Sequence, residues 1–464
     1  MKKSLGLLLI MVLVLFAACS GKKEAPASTG STGTTGTVRT VSGPPKFIED
    51  DKTISGTVKF WIPFTGPQGM DLMIQEFNSL FPNIKVELTT YNNNSNGNLA
   101  VNTAMMAGEI DVLHSFGLNN AYHRWDGGMY RDITDDILAD NIDLVAEYGS
   151  DIYKYDGRIY TLPSGSLSYY VAINMTDWKN AGLGEIPKAW TWDEYMAASA
   201  AMTRGSGADK VYGGSDYHSQ WYFALPISQK TGLGPYYNED GLSSANDPLL
   251  LTSLKRRYKA EVEDQIWFPN TRYRSDNLQG QMTFLSHTVS SVIICNLQRF
   301  LRDTRTYPVD WVTAFAPYPT ETPGQVNHVE GVSIFSHVGI ASRSPESNYK
   351  ANYAFLKWYG SEGCKYLVLA GHLPTWKKTD VTAMLPLIFG TDEEAAKLVD
   401  VESFKRVVFN YSAPFWIDVE MTAYDEVASL FNECINMTLQ GEMTAEAAMA
   451  ELQREADAAI RAAR

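Results

Sequence analysis

Aromatic residues that lie beside amides and hydroxyls are the side chains of this sequence best suited to bind a ligand. The 464 residues include 11 Trp, 25 Tyr and 19 Phe, which is 12% of the chain, and several stand next to polar residues, as in residues 216–222 (DYHSQWY). A sugar ring has an apolar face of C–H groups and a rim of hydroxyls, so its site needs a flat aromatic surface together with amide or carboxylate groups. These residue types favour a carbohydrate site, although core packing is the ordinary role of an aromatic side chain.

Motifs for the common catalytic and cofactor sites are missing from the sequence. We find no G-x-x-x-x-G-K-[ST] phosphate loop, no G-x-G-x-x-G after a strand, no H-E-x-x-H and no G-x-S-x-G. The seven histidines are scattered, and the nine-residue spacing of His114 and His123 does not pair them on one helix face or strand. The sequence therefore predicts no catalytic residue, no metal site and no cofactor. A secreted glycosidase stays open as an alternative, because 53 acidic residues always offer carboxylate pairs.

The composition narrows the class of protein. Lys and Arg number 39 against 53 Asp and Glu, which gives a net charge of −14, and hydrophobic residues make up 45%. This hydrophobic content excludes a disordered chain, and a mean hydropathy of −0.20 excludes a polytopic membrane protein. Binding to nucleic acid needs a concentrated basic surface, so the acidic balance predicts no nucleic-acid partner. The length indicates two or three domains.

The N-terminus has the pattern of an export signal. Two lysines precede an apolar run over residues 5–16, and two alanines and Cys19 come next. Small residues before a single cysteine resemble the bacterial lipobox, in which the cysteine is lipidated. Phe16 stands where that pattern has Leu, Val or Ile, so a plain secretory signal stays open. We expect a signal peptide over residues 1–18 and, because Gly, Ser and Thr dominate the segment after Cys19, a lipid-anchored flexible tether over residues 19–50.

Hydrophobic periodicity predicts alternating strands and helices after the tether. Residues 54–63 alternate as a strand does, the apolar residues between 73 and 81 share one helix face, and strands are expected at 84–88 and 110–113. This order predicts βαβ units in a mainly parallel sheet, with ligands at the carboxyl ends of the strands. The first candidate site residues, from the loops at those ends, are Trp61, Phe64, His114, Phe116 and Asn119.

The same alternation continues to the end of the chain. Strands are predicted at 169–173, 289–295 and 332–336, and helices at 248–262, 347–359, 418–439 and 444–462. The fold class is therefore α/β throughout.

An ordered set of motifs resembles the family 1 extracellular solute-binding proteins, the sugar-type receptors of bacterial ABC importers. Its densest part is DGRIYTLP at 156–163, YVAIN at 170–174 and P-x-x-x-TWDE at 187–194. Further matching segments are FW at 60–61, IDV at 110–112, APYP at 316–319, AFLKWY at 354–359 and LP at 373–374. The resemblance spans residues 54–464 in order, and members of this family with these landmarks bind very different solutes.

The resemblance implies a two-lobed periplasmic-binding-protein fold, type II-like, in which the ligand occupies a cleft between α/β lobes joined by hinge crossovers. Crossovers are expected near residues 162–168, 318–328 and 376–381. Lobe one would comprise residues 54–163 plus 328–378, and lobe two residues 168–318 plus 380–464. Ligand contacts both lobes only in the closed form and so shifts the population toward closure; the ABC permease then recognises that form.

Carried onto this chain residue by residue, the resemblance implies a set of ligand-binding positions. Trp221 and Trp416 are predicted as stacking surfaces, and Asn119 and Glu330 as partners for hydroxyls. The complete predicted set is Trp61, Phe64, Thr65, His114, Ser115, Phe116, Asn119, Ser166, Tyr169, Trp221, Tyr222, Asn296, Glu330, Gly331 and Trp416.

One departure from the family pattern bears on the ligand. Sugar-binding relatives often carry G-x-W after the strand that ends near Ile294, whereas this chain has Cys295, Asn296 and Leu297. Either Asn296 contacts the ligand in place of that aromatic residue, or the ligand is not an oligosaccharide. The resulting prediction is a monomeric lipoprotein on the outer side of the cell membrane that binds a small solute, a sugar, and delivers it to permease subunits. A surface sensor or adaptor on the same fold stays open.

Overall fold

The protein is folded around two β-sheets, each covered by helices. The computed structural model describes residues 43–64, 69–216, 220–276, 278–418 and 421–464. Lobe one is the six-stranded sheet with the helices between residues 70 and 148 and the helix at 349–360. Lobe two is the three-stranded sheet with the helices between residues 175 and 301 and those after residue 374. The predicted signal peptide, Cys19 and most of the predicted tether lie outside the described residues.

The strands form the two sheets and one additional two-stranded ribbon. The first has the order β11-β6-β10-β3-β1-β2, the second β8-β7-β9, and a two-stranded ribbon pairs β4 with β5. Their bounds are β1 Gly56–Ile62, β2 Ile84–Thr90, β3 Val112–Phe116, β4 Lys154–Tyr155, β5 Arg158–Ile159, β6 Thr161–Leu167, β7 Tyr170–Asn174, β8 Ser291–Ile294, β9 Thr313–Pro317, β10 Ser333–Ile340 and β11 Leu373–Pro374.

Helices cover both sheets and build most of lobe two. The α-helices are α1 Met70–Leu80, α2 Ser95–Ala107, α3 Leu118–Asp126, α4 Thr134–Ala139, α5 Leu144–Tyr148, α6 Met175–Asn180, α7 Trp192–Met202, α8 Gln220–Thr231, α9 Pro248–Tyr258, α10 Asn270–Ser275, α11 Gly280–Leu285, α12 Gln298–Leu301, α13 Tyr349–Gly360, α14 Met384–Phe389, α15 Asp392–Leu398, α16 Val401–Val408, α17 Tyr424–Leu439 and α18 Ala445–Ala463. Five 3-10 helices (Gly207–Asp209, Ser244–Asn246, Glu346–Asn348, Glu362–Ala370 and Val381–Ala383) and one π-helix (Lys259–Glu263) are also present in the described part. Within that part, no helix combines the length and the apolar character that crossing a bilayer requires.

Several helices begin where side-chain caps fix their ends. Thr191 and Glu194 form a capping box at the start of α7, which satisfies two otherwise free backbone donors. Asp247 caps α9, and proline occupies its first turn. The predicted helix at 418–439 starts only at Tyr424, because Ala423 takes a left-handed φ of 55°. Asp418 therefore comes before the helix and is not part of it.

The α/β class is confirmed, but the pairing is less parallel than predicted. In lobe one, β1 pairs in parallel with β2 and β3, as βαβ units require. In contrast, β10 is antiparallel to β3 and β6, and β7 is antiparallel to β8 and β9. Both β7 and β10 enter their sheet from the other lobe, so each starts at the edge where its neighbours end.

The chain passes between the two sheets at three places. Only Ser168 and Tyr169 separate β6 of the first sheet from β7 of the second, and residues 318–332 join β9 to β10. The third passage comes after β11 at residue 374. These passages place the carboxyl ends of β1, β3, β6, β8 and β9 on the edges of the two sheets that face each other.

The core of lobe one is strongly aromatic. Phe60 packs edge-on against Phe355 and Tyr359, and all three rings are fully buried. Near the passages the core is continuous between the lobes: Val368 and Leu373 pack in the same apolar cluster as Phe315 and Phe404 of lobe two. The lobes are therefore joined by buried apolar contacts beside the connecting strands.

Candidate functional site

A cavity of about 360 Å³ lies where the facing sheet edges meet, and both lobes contribute to its wall. Its size is at the small end of the range for ligand pockets, ~300–1,000 Å³. The described lining residues are Asn93, Phe116, Gly117, Leu118, Asn119, Asn120, Ile152, Leu167, Tyr169, Tyr222, Cys295, Ile334, Phe335, Trp416, Asp418 and Tyr424.

The wall from lobe one combines the amides of Asn93, Asn119 and Asn120 with an apolar part that is supported by further rings. Phe116, the last residue of β3, stacks on His372 with centroids 4.7 Å apart and an interplanar angle of 20°. Phe335 also stacks on His372, with ring centroids 5.9 Å apart. Phe64 packs edge-on against Phe116, with ring centroids 5.4 Å apart. Since these contacts fix both ring planes, the wall is set by the packing of the core.

Three buried histidines of lobe one are held neutral. Burial lowers the pKa of His372 to about 3, and it lowers the pKa of His114 and His337 well below the ordinary value. His114 Nδ1 lies 2.5 Å from the Tyr359 hydroxyl. In the described part of the chain, no group of His, Cys, Asp and Glu side chains is arranged to hold a metal ion.

The wall from lobe two also combines aromatic rings with polar atoms. Tyr169 meets Tyr222 edge-on at 5.8 Å and lies 6.4 Å from the Trp416 ring. Cys295 comes directly after β8 at the cavity edge, and burial raises the pKa of its thiol to about 11. That thiol is therefore protonated and unreactive at neutral pH.

Two glycines let the segment that carries Trp416 and Asp418 pass close to its neighbours. The Gly331 N–H donates to Pro414 O at 3.1 Å, and a Cβ on Gly331 would lie 2.5 Å from that same oxygen. A Cβ on Gly234 would lie only 1.9 Å from Asp418 Oδ1. Side chains at these two positions would push the segment out of place, so the glycines position Trp416 and Asp418 on the cavity.

Asp418 carries the charge of this wall. Burial raises the pKa of its carboxyl to about 7, and its negative charge also helps to raise the pKa of Tyr153 in lobe one and Tyr424 in lobe two. In the described structure, the Asp418 carboxylate makes no hydrogen bond or ion pair with the protein. It therefore lies between the two lobes, and none of the described residues compensates its charge.

The rim of the cavity is bridged by polar contacts between the lobes. Asn119 Nδ2 donates to Asp425 Oδ1 at 3.1 Å, and His123 Nε2 lies 3.5 Å from Asp425 Oδ2. Asn119 and His123 lie on α3 of lobe one, and Asp425 lies in the first turn of α17. These contacts form only where the two lobes approach each other.

The predicted site residues fall into three groups. Phe116, Asn119, Tyr169, Tyr222 and Trp416 line the cavity. Thr65 lies outside the described residues, as does the side chain of Trp221. The predicted residues that are described but are not part of the lining are Trp61, Phe64, His114, Ser115, Ser166, Asn296, Glu330 and Gly331.

Most residues of the third group make contacts inside the protein. Trp61 packs in the apolar cluster around Tyr91, behind the cavity. Ser166 Oγ donates to Leu373 O at 3.0 Å, and Ser115 Oγ accepts from Arg124. The strand-end rule locates the edge of a sheet, but successive side chains of a strand point to opposite faces of the sheet, so only some of them reach a cavity at that edge.

Two polar residues of the third group lie beside the passages between the sheets. Glu330 accepts from Asn410 Nδ2 at 3.3 Å, and burial raises the pKa of its carboxyl. Asn296 is half-buried against Gly371. As described, neither side chain faces the cavity.

The sequence prediction also missed lining residues. Asn93 lies just after β2, so the strand-end rule applied to this strand would have found it. Asp418 comes two residues after the predicted Trp416, but periodicity placed it inside a helix. Phe335 is in β10, and no local pattern indicated that this strand starts at the cavity.

A larger cavity of about 590 Å³ lies elsewhere in lobe two. It is bounded by α9, the π-helix and the turn between α17 and α18, with lysine and glutamate side chains that pair with each other, such as Lys255 with Glu446. One lobe alone forms this cavity, and its described lining has a single aromatic residue, Tyr258. The cavity between the sheets is therefore the better candidate for the functional site.

Residues 63–363 match the profile of the family described as bacterial extracellular solute-binding protein. The chain belongs to this family. The match covers more than half of the chain and includes strands β2 to β10 and the first two passages between the sheets.

Solved structures show the same two-lobed fold. An ABC substrate-binding protein from Listeria monocytogenes in complex with cycloalternan has a TM-score of 0.69 at 17% identity, over 87% of this chain and 98% of that one. Maltose-bound MalE3 from T. maritima has a TM-score of 0.65 at 16% identity, over 86% and 98%. UgpB from Mycobacterium tuberculosis in complex with glycerophosphocholine has a TM-score of 0.67 at 15% identity, over 88% and 99%. No match is found among the curated proteins.

Proposed function

We propose that this solute-binding protein is the receptor of an ABC importer and captures a carbohydrate in the cavity between its lobes. The observation that carries this proposal is the lining itself: aromatic rings from both lobes stand beside the amides of Asn93, Asn119 and Asn120. Rings offer flat surfaces to the C–H face of a sugar, and amides donate to and accept from its hydroxyls. Two of the structures with the same fold are bound to cycloalternan and maltose, which agrees with this chemistry.

Closure of the lobes is the proposed mechanism of capture. A solute that touches Phe116 of lobe one and Trp416 of lobe two gains its full set of contacts only when the lobes are together. It therefore shifts the population toward the closed form by its difference in affinity for the two forms. The passages at residues 168–169, 318–332 and after 374 are the places where backbone rotation would permit this motion.

The site residues that we assign are the ones that line the cavity. Trp416 and Tyr169 would stack on the sugar from lobe two and Phe116 from lobe one, while Asn119 and Asp418 would bind hydroxyls or other donors. We further propose that the protein is an exported monomer attached to the membrane through a lipid on Cys19, and that its protein partners are permease subunits. The protein would release its solute unchanged and would not act as an enzyme.

Thermal-shift screening of the protein against sugars, with amino acids and peptides as controls, tests the proposal. A solute at 100 times its Kd stabilises the native state by ~2.7 kcal/mol, and a hit is then taken to calorimetry for stoichiometry and to small-angle scattering for the radius of gyration. We expect one-to-one binding, a decrease in the radius and recovery of intact sugar.

Three results would contradict parts of this proposal. Binding of an amino acid or peptide with no response to any sugar would remove the carbohydrate assignment. Turnover of the sugar would favour a glycosidase. If a Cys19→Ser variant stays attached to membranes as well as the wild type does, the proposal of a lipid anchor is wrong.

A further inference from the structure

The charges around the cavity are unbalanced. Asp418 is the one acid in the described lining, and that lining includes no Lys, Arg or His. The surface as a whole has the same sign, since the chain carries a net charge of −14. An anionic solute would therefore meet a carboxylate and, among the described lining residues, no compensating cation, so the described lining favours a cationic solute over one recognised through a carboxylate or phosphate group.

A carboxylate in this position needs a partner from the ligand. Transfer of an ionised carboxyl out of water costs free energy unless an opposite charge or several donors compensate it. Burial already raises the pKa of Asp418 to about 7, so in the empty cavity the group is only partly ionised at neutral pH. A cation beside it would restore full ionisation, and the protein itself supplies none among its described residues.

The rings around Asp418 also favour a cation. Tyr169, Tyr222, Trp416 and Tyr424 line the same cavity, and Tyr424 lies close enough to Asp418 for its pKa to respond to the carboxylate. Aromatic faces attract a desolvated ammonium group, and Trp and Tyr do so best. A carboxylate among aromatic faces thus binds an ammonium group better than it binds a neutral hydroxyl.

We propose that the carbohydrate captured by this protein carries a protonated amine, which binds to the Asp418 carboxylate between the aromatic rings of lobe two. This inference rests on the proposed carbohydrate-binding function and names the class of sugar. The rest of the sugar would lie against Phe116 and Phe335, whose wall has no charged group among its described residues.

Matched sugars test the inference by calorimetry at pH 7. The probes are glucosamine, galactosamine, mannosamine and the glucosamine disaccharide of chitosan, each with its hydroxyl parent and its N-acetyl derivative. Hydroxyl and amine differ little in size, so the pair isolates charge, and the N-acetyl compound keeps the nitrogen without the charge. We expect at least one amine to bind about 30-fold or more tightly than its hydroxyl parent, since breaking a buried charge pair has effects of this order.

Variants at Asp418 assign the preference to this carboxylate. Asp418→Asn keeps the shape and should abolish the preference for the amine, whereas Asp418→Glu keeps the charge and should retain most of it. Glu402→Gln, at an exposed position on α16, removes one negative charge away from the cavity and should leave the preference unchanged. Circular dichroism and the melting temperature verify that each variant is folded.

The possible results separate this inference from the proposed function. If neutral sugars bind as tightly as their amines, or if Asp418→Asn keeps the preference, the inference is wrong while carbohydrate binding stands. The inference is also wrong if only neutral sugars bind. If no sugar of either kind binds and a solute of another class does, the proposed function fails, and this inference fails with it.

Discussion

The two walls of the cavity are built in different ways. The wall from lobe one includes the end of β3 and the start of β10, where Phe116 and Phe335 are fixed by the stacked ring of His372, and the amides of Asn93, Asn119 and Asn120. The wall from lobe two comes from connecting segments, and it includes a carboxylate, a thiol and the tyrosine hydroxyls. The rings of the lobe-one wall therefore belong to a core, whereas the lobe-two wall is made of loops whose positions depend on glycines.

This difference separates two tasks in recognition. A ring that is packed in the core gives the ligand a fixed apolar surface, and its position depends on the stability of the lobe. Polar groups on loops can distinguish ligands, because an unpaired polar group or charge is costly in the closed cavity. We expect changes in the lobe-one wall to affect stability first, and changes in the lobe-two wall to affect the choice of ligand.

The largest effect should come from Phe116→Ala. The ring is 7% exposed and contacts Phe64, His114, Phe335 and His372, so its loss leaves a void that these neighbours cannot fill. The free energy of unfolding in urea should fall by ~3–5 kcal/mol. Phe116→Leu, as a control, fills most of the volume and should cost less than half of this amount. A loss under ~1 kcal/mol for the alanine variant would show that the wall is not part of the core.

Acid should destabilise the protein through the buried histidines of lobe one. The pKa of His372 is about 3 in the folded protein and ~6.5 in the unfolded chain. As the pH falls, the unfolded chain takes up the proton first. The free energy of unfolding is therefore unaffected by this histidine above pH 6.5 and decreases as the pH falls toward 3, by ~1.4 kcal/mol per pH unit for each such histidine. His114 and His337 act in the same direction.

The variant His372→Phe isolates one histidine. It keeps a ring between Phe116 and Phe335 and removes the titrating group. The free energy of unfolding of the variant minus that of the wild type should be larger at pH 5 than at pH 7, by ~2 kcal/mol. An equal difference at both pH values would mean that the pKa of His372 is not lowered in the folded protein.

Asp418 in the opposite wall should have the opposite dependence on pH. The pKa of its carboxyl is raised to about 7, above the ordinary value of the unfolded chain, so the folded protein holds the proton longer. The contribution of this carboxyl to the free energy of unfolding is fully present at low pH and is lost as the pH rises toward 7. Because the side chain is partly exposed, we discount the effect for solvent screening and expect Asp418→Asn to stabilise the ligand-free protein by ~2 kcal/mol at pH 8.

Urea unfolding of Asp418→Asn and the wild type at pH 8 and pH 5.5 checks this expectation. The gain should be smaller at pH 5.5, where the wild-type carboxyl is mostly protonated. The control is Asp425→Asn, which removes a carboxylate at an exposed position on the rim. A variant that is less stable than the wild type at pH 8 would indicate that the carboxylate is compensated in the folded protein.

The two walls also differ in how far the sequence could predict them. Periodicity located β3, and the strand-end rule identified Phe116 and Asn119 beside it, because a βαβ unit brings each strand back to the same edge. Trp416 and Tyr169 came from the resemblance to a family, since loop residues have no period. Asp418 was missed: its position depends on Gly234 and on the left-handed Ala423, and the sequence pattern around it is that of a helix. His114 and Ser115 were predicted at the cavity, but tertiary packing places them inside β3, where every side chain is buried.

The smallest effect should come from the contacts that join the walls at the rim. Asp425 accepts from Asn119 and faces His123, and the Asp425 side chain is 70% exposed. Exposed pairs of this kind contribute little because water and salt screen them. With the sugar that the screen identifies, Asp425→Ala should therefore raise the Kd by only about two- to fivefold, and the change should decrease at high salt.

Glu426→Ala is the matched control for this last variant. Glu426 is the next acid in the first turn of α17 and is also exposed, so both variants lose the same favourable interaction with the helix N-terminus. Only Asp425 reaches across to α3. If both variants weaken binding equally, the effect comes from the helix and the rim contacts do not stabilise closure. The other outcome is that only Asp425→Ala weakens binding and that scattering shows a larger radius of gyration for this variant at half-saturation. The bridge between α3 and α17 then helps to hold the two walls together, and closure depends on protein contacts as well as on the ligand.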